Sequence, residues 1–228
     1  MDEFIFILEL IGTVAFASSG AMIAIEKKMD IFGVNVLGAT TAVGGGIMRD
    51  IILGLTPPGA FSHPVYVLVA ALTSTILFVI AYAKPTAFES RVKTDYYDKL
   101  MFWCDTAGLG IFTVVGIQAA VRAVGGENVF FFVFIGTLTG VGGGVLRDIM
   151  AGETPYILVK HIYACAAIAG GIVCVVGRTA FGEAYGTILG LAATVLLRFL
   201  GYRQRPFGVR AESGIRFLLL KEEERTLV

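Results

Sequence analysis

The chain has 228 residues, of which 56% are hydrophobic and only 16% are charged, and its formal net charge is zero. These values exclude a typical soluble domain and favour a single bundle of membrane-spanning helices. The net charge points to no partner, and nothing in the composition indicates nucleic acid. The three cysteines lie in apolar segments without metal-ligand spacing, so we expect neither a bound metal nor a cofactor.

Seven apolar stretches, taken in chain order, approach the length that a bilayer requires of a helix. They predict spans at residues 4–25, 34–55, 64–83, 99–123, 129–150, 155–176 and 183–201. The charged linker 86–98 fits a short amphipathic surface helix and a solvated loop equally well. Residues 204–228 form a charged tail after the last span.

The distribution of basic residues predicts the orientation of the bundle. With seven spans, the N-terminus and the even-numbered loops share one side, which holds only Arg122 and Arg178 of the Lys and Arg residues outside the second and fifth spans. The other side holds all the rest. Cytoplasmic loops carry the excess of Lys and Arg, so we expect the N-terminus outside and the C-terminus in the cytoplasm.

One motif occurs twice in the chain. "VGGGIMRDIILGLTP" begins at Val43 and "VGGGVLRDIMAGETP" begins at Val141, and upstream Phe16 aligns with Phe112. Each copy contains three helices, and an odd number inverts the second copy in the bilayer. The sequence therefore predicts an all-α membrane protein with seven transmembrane helices, in which two inverted three-helix repeats are followed by a seventh helix. The expected units are the first repeat 1–85, the cytoplasmic linker 86–98, the second repeat 99–178, the seventh helix 179–203 and the tail 204–228.

Both copies of the motif carry a glycine triplet in the middle of a span. Each glycine costs roughly 1 kcal/mol of helix propensity relative to alanine, so such a run favours bending or unwinding of the helix. Unpaired backbone groups at membrane depth are tolerated only where they line a wet cavity or are buried in protein. We therefore expect a helix break at the centre of the protein, and a contribution to close helix packing remains the alternative. The glycines in question are Gly44, Gly45 and Gly46 in the first copy and Gly142, Gly143 and Gly144 in the second.

An arginine and an aspartate follow each triplet, Arg49-Asp50 in the first copy and Arg147-Asp148 in the second. An unpaired arginine near the bilayer centre costs from about 3 to above 10 kcal/mol, so these charges must be paired or hydrated. Two interpretations stay open and are compatible with each other. The pairs either line a solute pathway, or they clamp the repeats together by crossed Arg49–Asp148 and Arg147–Asp50 contacts.

Two acidic residues occupy matching positions on the first and fourth spans, Glu9 and Asp105. Inverted topology places them toward opposite ends of the bilayer. They fit acidic mouths that attract cations, and solvation of helix ends explains them about as well.

The duplicated GGG-x-x-RD motif on the second and fifth spans, together with "DTAGLGIFTVVG" on the fourth, resembles the prokaryotic branch of the trimeric intracellular cation (TRIC) channels. The repeat domain of that family is also labelled as a glycine transporter. The resemblance implies a homotrimer in a prokaryotic inner membrane, with a pore in every protomer between its inverted repeats. It also implies second and fifth helices kinked at the glycines, and conduction of K⁺ and other monovalent cations such as Na⁺.

Two functions therefore compete, and neither is enzymatic. The leading hypothesis is a passive monovalent cation channel embedded in membrane lipid. The alternative is a secondary transporter of a small amino acid such as glycine, in which the positive N-termini of half-helices would face a carboxylate. An intramembrane enzyme is disfavoured, because the chain has no G-x-S-x-G motif and no pair of histidines at metal-binding spacing.

Overall fold

The structure is a computed structural model that describes residues 2–83, 95–126, 128–159 and 162–203. In these residues all regular secondary structure is helical, and seven helices are long and apolar enough to cross a membrane. The predicted fold class of an all-α membrane protein is confirmed. Most of the predicted linker and the whole predicted tail 204–228 lie outside the described residues.

In the part of the chain that the structure describes, nine helices follow one another. Seven are candidate membrane spans, and α3 and α7 are single turns that precede the third and sixth spans. Their bounds are α1 Asp2–Glu26, α2 Ile31–Ile52, α3 Gly59–Ser62, α4 Val65–Ala83, α5 Asp95–Val124, α6 Val129–Met150, α7 Tyr156–Val159, α8 Ala164–Phe181 and α9 Glu183–Arg203.

The two predicted repeats pack in the same way. Helices α1, α2 and α4 contact one another in the first, and α5, α6 and α8 do so in the second. The repeats meet where α1 packs on α5 and α2 packs on α6, while α9 packs against α8 and α5. Helix α4 keeps a strongly exposed apolar face that includes Leu68 and Leu72, as expected of a surface in contact with lipid.

The second helix of each repeat begins and ends with matching local structure. Asp30 caps α2 by accepting the Gly33 N–H at 2.7 Å, and Asn128 caps α6 by accepting the Phe131 N–H at 3.0 Å. Each helix terminates just before a glycine with φ of +71°, Gly54 or Gly152, a conformation that glycine adopts without steric cost. The same short signals thus fix the length of both helices.

Two sequence predictions about the helices are wrong. The predicted break at the glycines is absent, because α2 and α6 each run as uninterrupted α-helix through their triplets. The predicted sixth span 155–176 is instead divided, with α7 ending at Val159 and α8 beginning at Ala164. The fourth span also begins earlier than predicted, since α5 starts at Asp95.

Candidate functional site

The middle glycine of each triplet lies where α2 and α6 cross. A methyl group built on Gly45 would overlap the carbonyl oxygen of Thr139, and one built on Gly143 would overlap the carbonyl oxygen of Thr41. The two contacts are equivalent under the repeat, so the helices cross about a local pseudo-two-fold axis. The glycines keep the helices intact and let their backbones touch, which is how small residues act between membrane helices.

The outer members of each triplet face other surroundings. Gly44 packs against the Leu146 side chain, and Gly142 packs against the equivalent Met48 side chain. The third glycines differ between the repeats. A Cβ on Gly46 would meet only Arg49 Nη2, at 3.9 Å, whereas one on Gly144 would lie 2.9 Å from the Tyr163 hydroxyl. The first repeat is therefore open at this level, and the second is filled.

The open side is a cavity of about 430 Å³ between the first repeat and α5 of the second repeat. It lies between the N-terminal half of α1, the C-terminal halves of α2 and α5, α3 and the start of α4. All these segments belong to the same end of the bundle. Its polar lining includes Glu9, Arg49, Asp50, Tyr66 and Gln118.

Within this cavity the Arg-Asp pair is joined side by side. Arg49 Nε donates to Asp50 Oδ1 at 2.8 Å, and Asp50 Oδ2 accepts the N–H of Gly59, the first residue of α3, at 2.8 Å. The Asp50 side chain is only 3% exposed, whereas that of Arg49 is 13% exposed. Asp50 thus fixes the arginine and caps the short helix at the same time, and Glu9 accepts a hydrogen bond from the Tyr66 hydroxyl nearby.

The second repeat builds the same arrangement at the opposite end of the bundle. Arg147 Nε donates to Asp148 Oδ1 at 2.9 Å, and Asp148 Oδ2 accepts the N–H of Tyr156, the first residue of α7, at 2.8 Å. The Tyr163 hydroxyl donates to Asp105 Oδ1 at 3.3 Å, as Tyr66 donates to Glu9. Each repeat therefore combines a carboxylate on its first helix, an Arg-Asp pair on its second and a tyrosine at the start of its third span.

Crossed clamps between the repeats do not occur, because each arginine pairs with the aspartate that follows it. The link between helices is made instead by Asp105, whose Oδ1 accepts from Arg147 Nη1 at 2.9 Å. Arg147 also donates to the Ser19 hydroxyl on α1. The charge pair thus ties the second repeat to the first helix of the other repeat.

The predicted mouth at Asp105 is wrong. Asp105 and Arg147 are both fully buried, and Asp105 Oδ2 accepts from Arg198 Nη2 of α9 at 2.9 Å. A carboxylate enclosed by two guanidinium groups and a tyrosine is not available to ions in bulk water. Glu9, by contrast, is partly exposed and lines the open cavity, so its prediction as an acidic mouth stands as a prediction.

Two phenylalanines separate the cavity from the buried network. The rings of Phe16 and Phe112 stack with centroids 5.3 Å apart, and both are almost fully buried. The Phe16 ring packs on Gly108 and the Phe112 ring packs on Gly12, so these contacts are also related by the repeat. The centre of the bundle is consequently apolar and closed.

Three residues of the two sites were not predicted from the sequence. Arg198 lies inside the predicted seventh span, and a basic residue at that depth was the available signal. Tyr66 and Tyr163 sit at nearly the same offset as the other repeat pairs, which a longer alignment of the two halves would have revealed.

Comparison with known proteins gives a consistent result. The family model described as Glycine transporter matches residues 6–82 and 102–179, one segment in each predicted repeat. The UPF0126 inner membrane protein YadS of Escherichia coli K12 is 36% identical over 198 residues, covering 86% of this chain and 90% of that protein. A UPF0126 membrane protein of Deinococcus radiodurans is 40% identical over 165 residues, covering 72% of this chain and 71% of that protein.

Solved structures of channels match the same fold. The TRIC channel orthologue from Rhodobacter sphaeroides is 34% identical with a TM-score of 0.77, covering 87% of this chain and 96% of that one. A prokaryotic TRIC channel crystallised in 0.5 M KCl is 30% identical with a TM-score of 0.79, covering 89% of this chain and 98% of that one. The chain is therefore an integral membrane protein that belongs to the prokaryotic TRIC channel family, to which the Glycine transporter repeat model also corresponds.

Proposed function

We propose that the protein is a cation channel permeable to K⁺ and other monovalent cations, including Na⁺, with a pathway inside each protomer between its two repeats. The observation that carries this proposal is the cavity between the first repeat and α5. Its lining holds the carboxylates Glu9 and Asp50 and the guanidinium groups of Arg49 and Arg122. Arg122 is paired with Glu183 of α9, so with that pair counted as neutral the site keeps a formal excess of negative charge. Such a surface concentrates cations and disfavours anions.

The pathway starts at this cavity and continues toward the Asp105 network at the other end of the bundle. In the described conformation it is closed by the Phe16–Phe112 stack and by the buried ion pairs beyond it. Paired charge and close backbone contact at mid-membrane favour a protein-lined route over a lipid-facing one. Conduction then requires α2 and α6 to separate beside their crossing, where Gly46 and Gly144 face the polar sites.

The assembly and orientation follow from the same proposal. The solved relatives are described as trimeric intracellular cation channels, and we infer a homotrimer with one pathway per protomer. By the distribution of basic residues we infer that the cavity and the N-terminus face outside and that the Asp105 network lies toward the cytoplasm. The exposed apolar face of α4 is then available to lipid or to a neighbouring protomer.

Proteoliposomes test the function directly. Vesicles are loaded with KCl and diluted into a K⁺-poor buffer that contains a protonophore. K⁺ efflux then drives H⁺ into the vesicles, and a pH-sensitive dye reports this H⁺ uptake. We expect efflux that depends on the protein and occurs with both K⁺ and Na⁺. A protein that releases neither cation, yet accumulates labelled glycine against its gradient, would be a transporter and not a channel.

A further inference from the structure

Arg198 enters the site of the second repeat from outside the duplication. It lies on α9, is 8% exposed, and donates from Nη2 to Asp105 Oδ2 at 2.9 Å and from Nε to the Thr106 hydroxyl at 3.3 Å. Its guanidinium group also stacks against Tyr163 and Phe102, 4.6 and 5.0 Å from the ring centroids. The guanidinium group therefore has both polar and aromatic partners, an arrangement that stabilises an arginine shielded from water.

Among the described residues the first repeat has no counterpart of Arg198, because α9 follows the second repeat. The carboxylate–tyrosine pair Glu9–Tyr66 corresponds to Asp105–Tyr163, and a cavity lies beside it where the second repeat contains a guanidinium group. Arg122 and His63 also line this cavity. Arg122 is exposed and pairs with Glu183 of α9 at 3.4 Å.

The formal charges of the two sites differ by this one residue. The second site contains the carboxylates Asp105 and Asp148 and the guanidinium groups of Arg147 and Arg198, which balance. In the first site Arg49 pairs with Asp50, and Arg122, which also lines the cavity, pairs with Glu183. With the Arg122–Glu183 pair counted as neutral, Glu9, Asp50 and Arg49 leave one negative charge. The site that lacks the extra cation is open and negative, and the site that has it is neutral and sealed.

We propose that Arg198 seals the cytoplasmic half of the pathway. Its guanidinium group occupies the position at Asp105 through which a permeating monovalent cation must pass, and so acts as a tethered cation. The inference rests on the proposed channel function. Arginine stays protonated at every physiological pH, so the seal is released by movement of α9 and not by titration. Movement of α9 away from α5 would expose Asp105 to ions and open this half of the route.

The accessibility of the site provides a test that does not depend on conduction. In a chain whose native cysteines are replaced by serine, Ser19→Cys places a thiol beside Arg147, at a position that is fully buried. We expect a membrane-impermeant methanethiosulfonate reagent to label it at least tenfold faster once Arg198→Gln is added. Arg203→Gln, an exposed position on the same helix, is the matched control and should leave the rate unchanged.

A second variant, which removes both charges of the ion pair, keeps the test informative if Arg198→Gln alone does not fold. Asp105→Asn combined with Arg198→Gln removes both partners, and we expect fast labelling of Ser19→Cys here as well. K⁺ efflux should rise several-fold in Arg198→Gln and less in the double variant, which lacks the carboxylate. Labelling as slow as in the Arg198 protein, in both folded variants, would overturn the seal. Faster labelling without K⁺ efflux in any protein would support the seal and contradict the channel function.

Discussion

Substitution of neighbouring glycines at the α2–α6 crossing should give opposite results. Gly45→Ala directs a methyl group into the carbonyl oxygen of Thr139, which is backbone and cannot rotate away. Overpacking of a close-packed contact typically costs about 1–3 kcal/mol. Gly46→Ala meets nothing closer than Arg49 Nη2 at 3.9 Å, an ordinary contact, and gains up to about 1 kcal/mol of helix propensity.

These free energies translate into measurable melting temperatures. Both variants gain the same helix propensity, so that gain cancels between them. For a chain of this size 1 kcal/mol shifts the midpoint by about 2–4 °C, so Gly45→Ala should melt roughly 2–12 °C below Gly46→Ala. Gly46→Ala should melt at the wild-type temperature or slightly above it. Thermal unfolding of purified protein in one detergent, followed by size-exclusion chromatography of heated samples, measures both variants under the same conditions.

The second repeat supplies an internal control for this reasoning. Gly143→Ala should behave like Gly45→Ala, because it would overlap the carbonyl oxygen of Thr41. Gly144→Ala should be destabilising, unlike Gly46→Ala, since its methyl group would lie 2.9 Å from the buried Tyr163 hydroxyl. A Gly45→Ala protein that melts at or above the temperature of Gly46→Ala would refute the backbone contact, and a Gly46→Ala protein less stable than the wild type would refute the open cavity beside it.

Three further predictions follow from the charged groups. Asp148→Ala should lower the free energy of unfolding by roughly 3–5 kcal/mol, because it leaves the buried Arg147 with one carboxylate fewer. Asp50→Ala should lower it by less, because Arg49 is 13% exposed. Melting in detergent compares the two variants. Glu9→Gln should lower the K⁺/Cl⁻ permeability ratio at least fivefold, since a carboxylate 4 Å from a cation contributes about 1 kcal/mol even at the dielectric constant of water. Glu3→Gln, at an exposed position, is its control. An unchanged reversal potential in Glu9→Gln would show that Glu9 does not line the pathway. A C-terminal fluorescent fusion should be bright and a C-terminal alkaline phosphatase fusion inactive; the reverse pattern would invert the proposed topology.

The sequence alone was sufficient for the fold class, because length and hydropathy define the spans and the duplicated motif defines the relation between the halves. It was also sufficient to single out Arg49-Asp50 and Arg147-Asp148, since charged residues within apolar spans are rare and require partners. Their actual partners depend on rotamers and on neighbouring loops. Each aspartate turns to cap a one-turn helix and to hold the arginine beside it, which residue spacing does not encode.

The role of the glycines was mispredicted because helix propensity is a local quantity. The cost of glycine in a helix is real, yet here it is offset by the approach of two backbones at Gly45 and Gly143, a contact between residues that are far apart in the chain. For the same reason, the burial of Asp105 was not predicted from the sequence. Its burial depends on Arg198, which reaches it from α9, 93 residues further along the chain.

Single-channel recording of the purified wild-type protein in a planar bilayer tests the central claim most directly. With asymmetric KCl across the bilayer, we expect unitary currents whose reversal potential lies near the K⁺ equilibrium potential, because carboxylates outnumber guanidinium groups around the cavity. A reversal potential near that of Cl⁻ would contradict the proposed selectivity. The absence of unitary currents at every voltage, together with uphill uptake of labelled glycine by the same preparation, would contradict the channel itself.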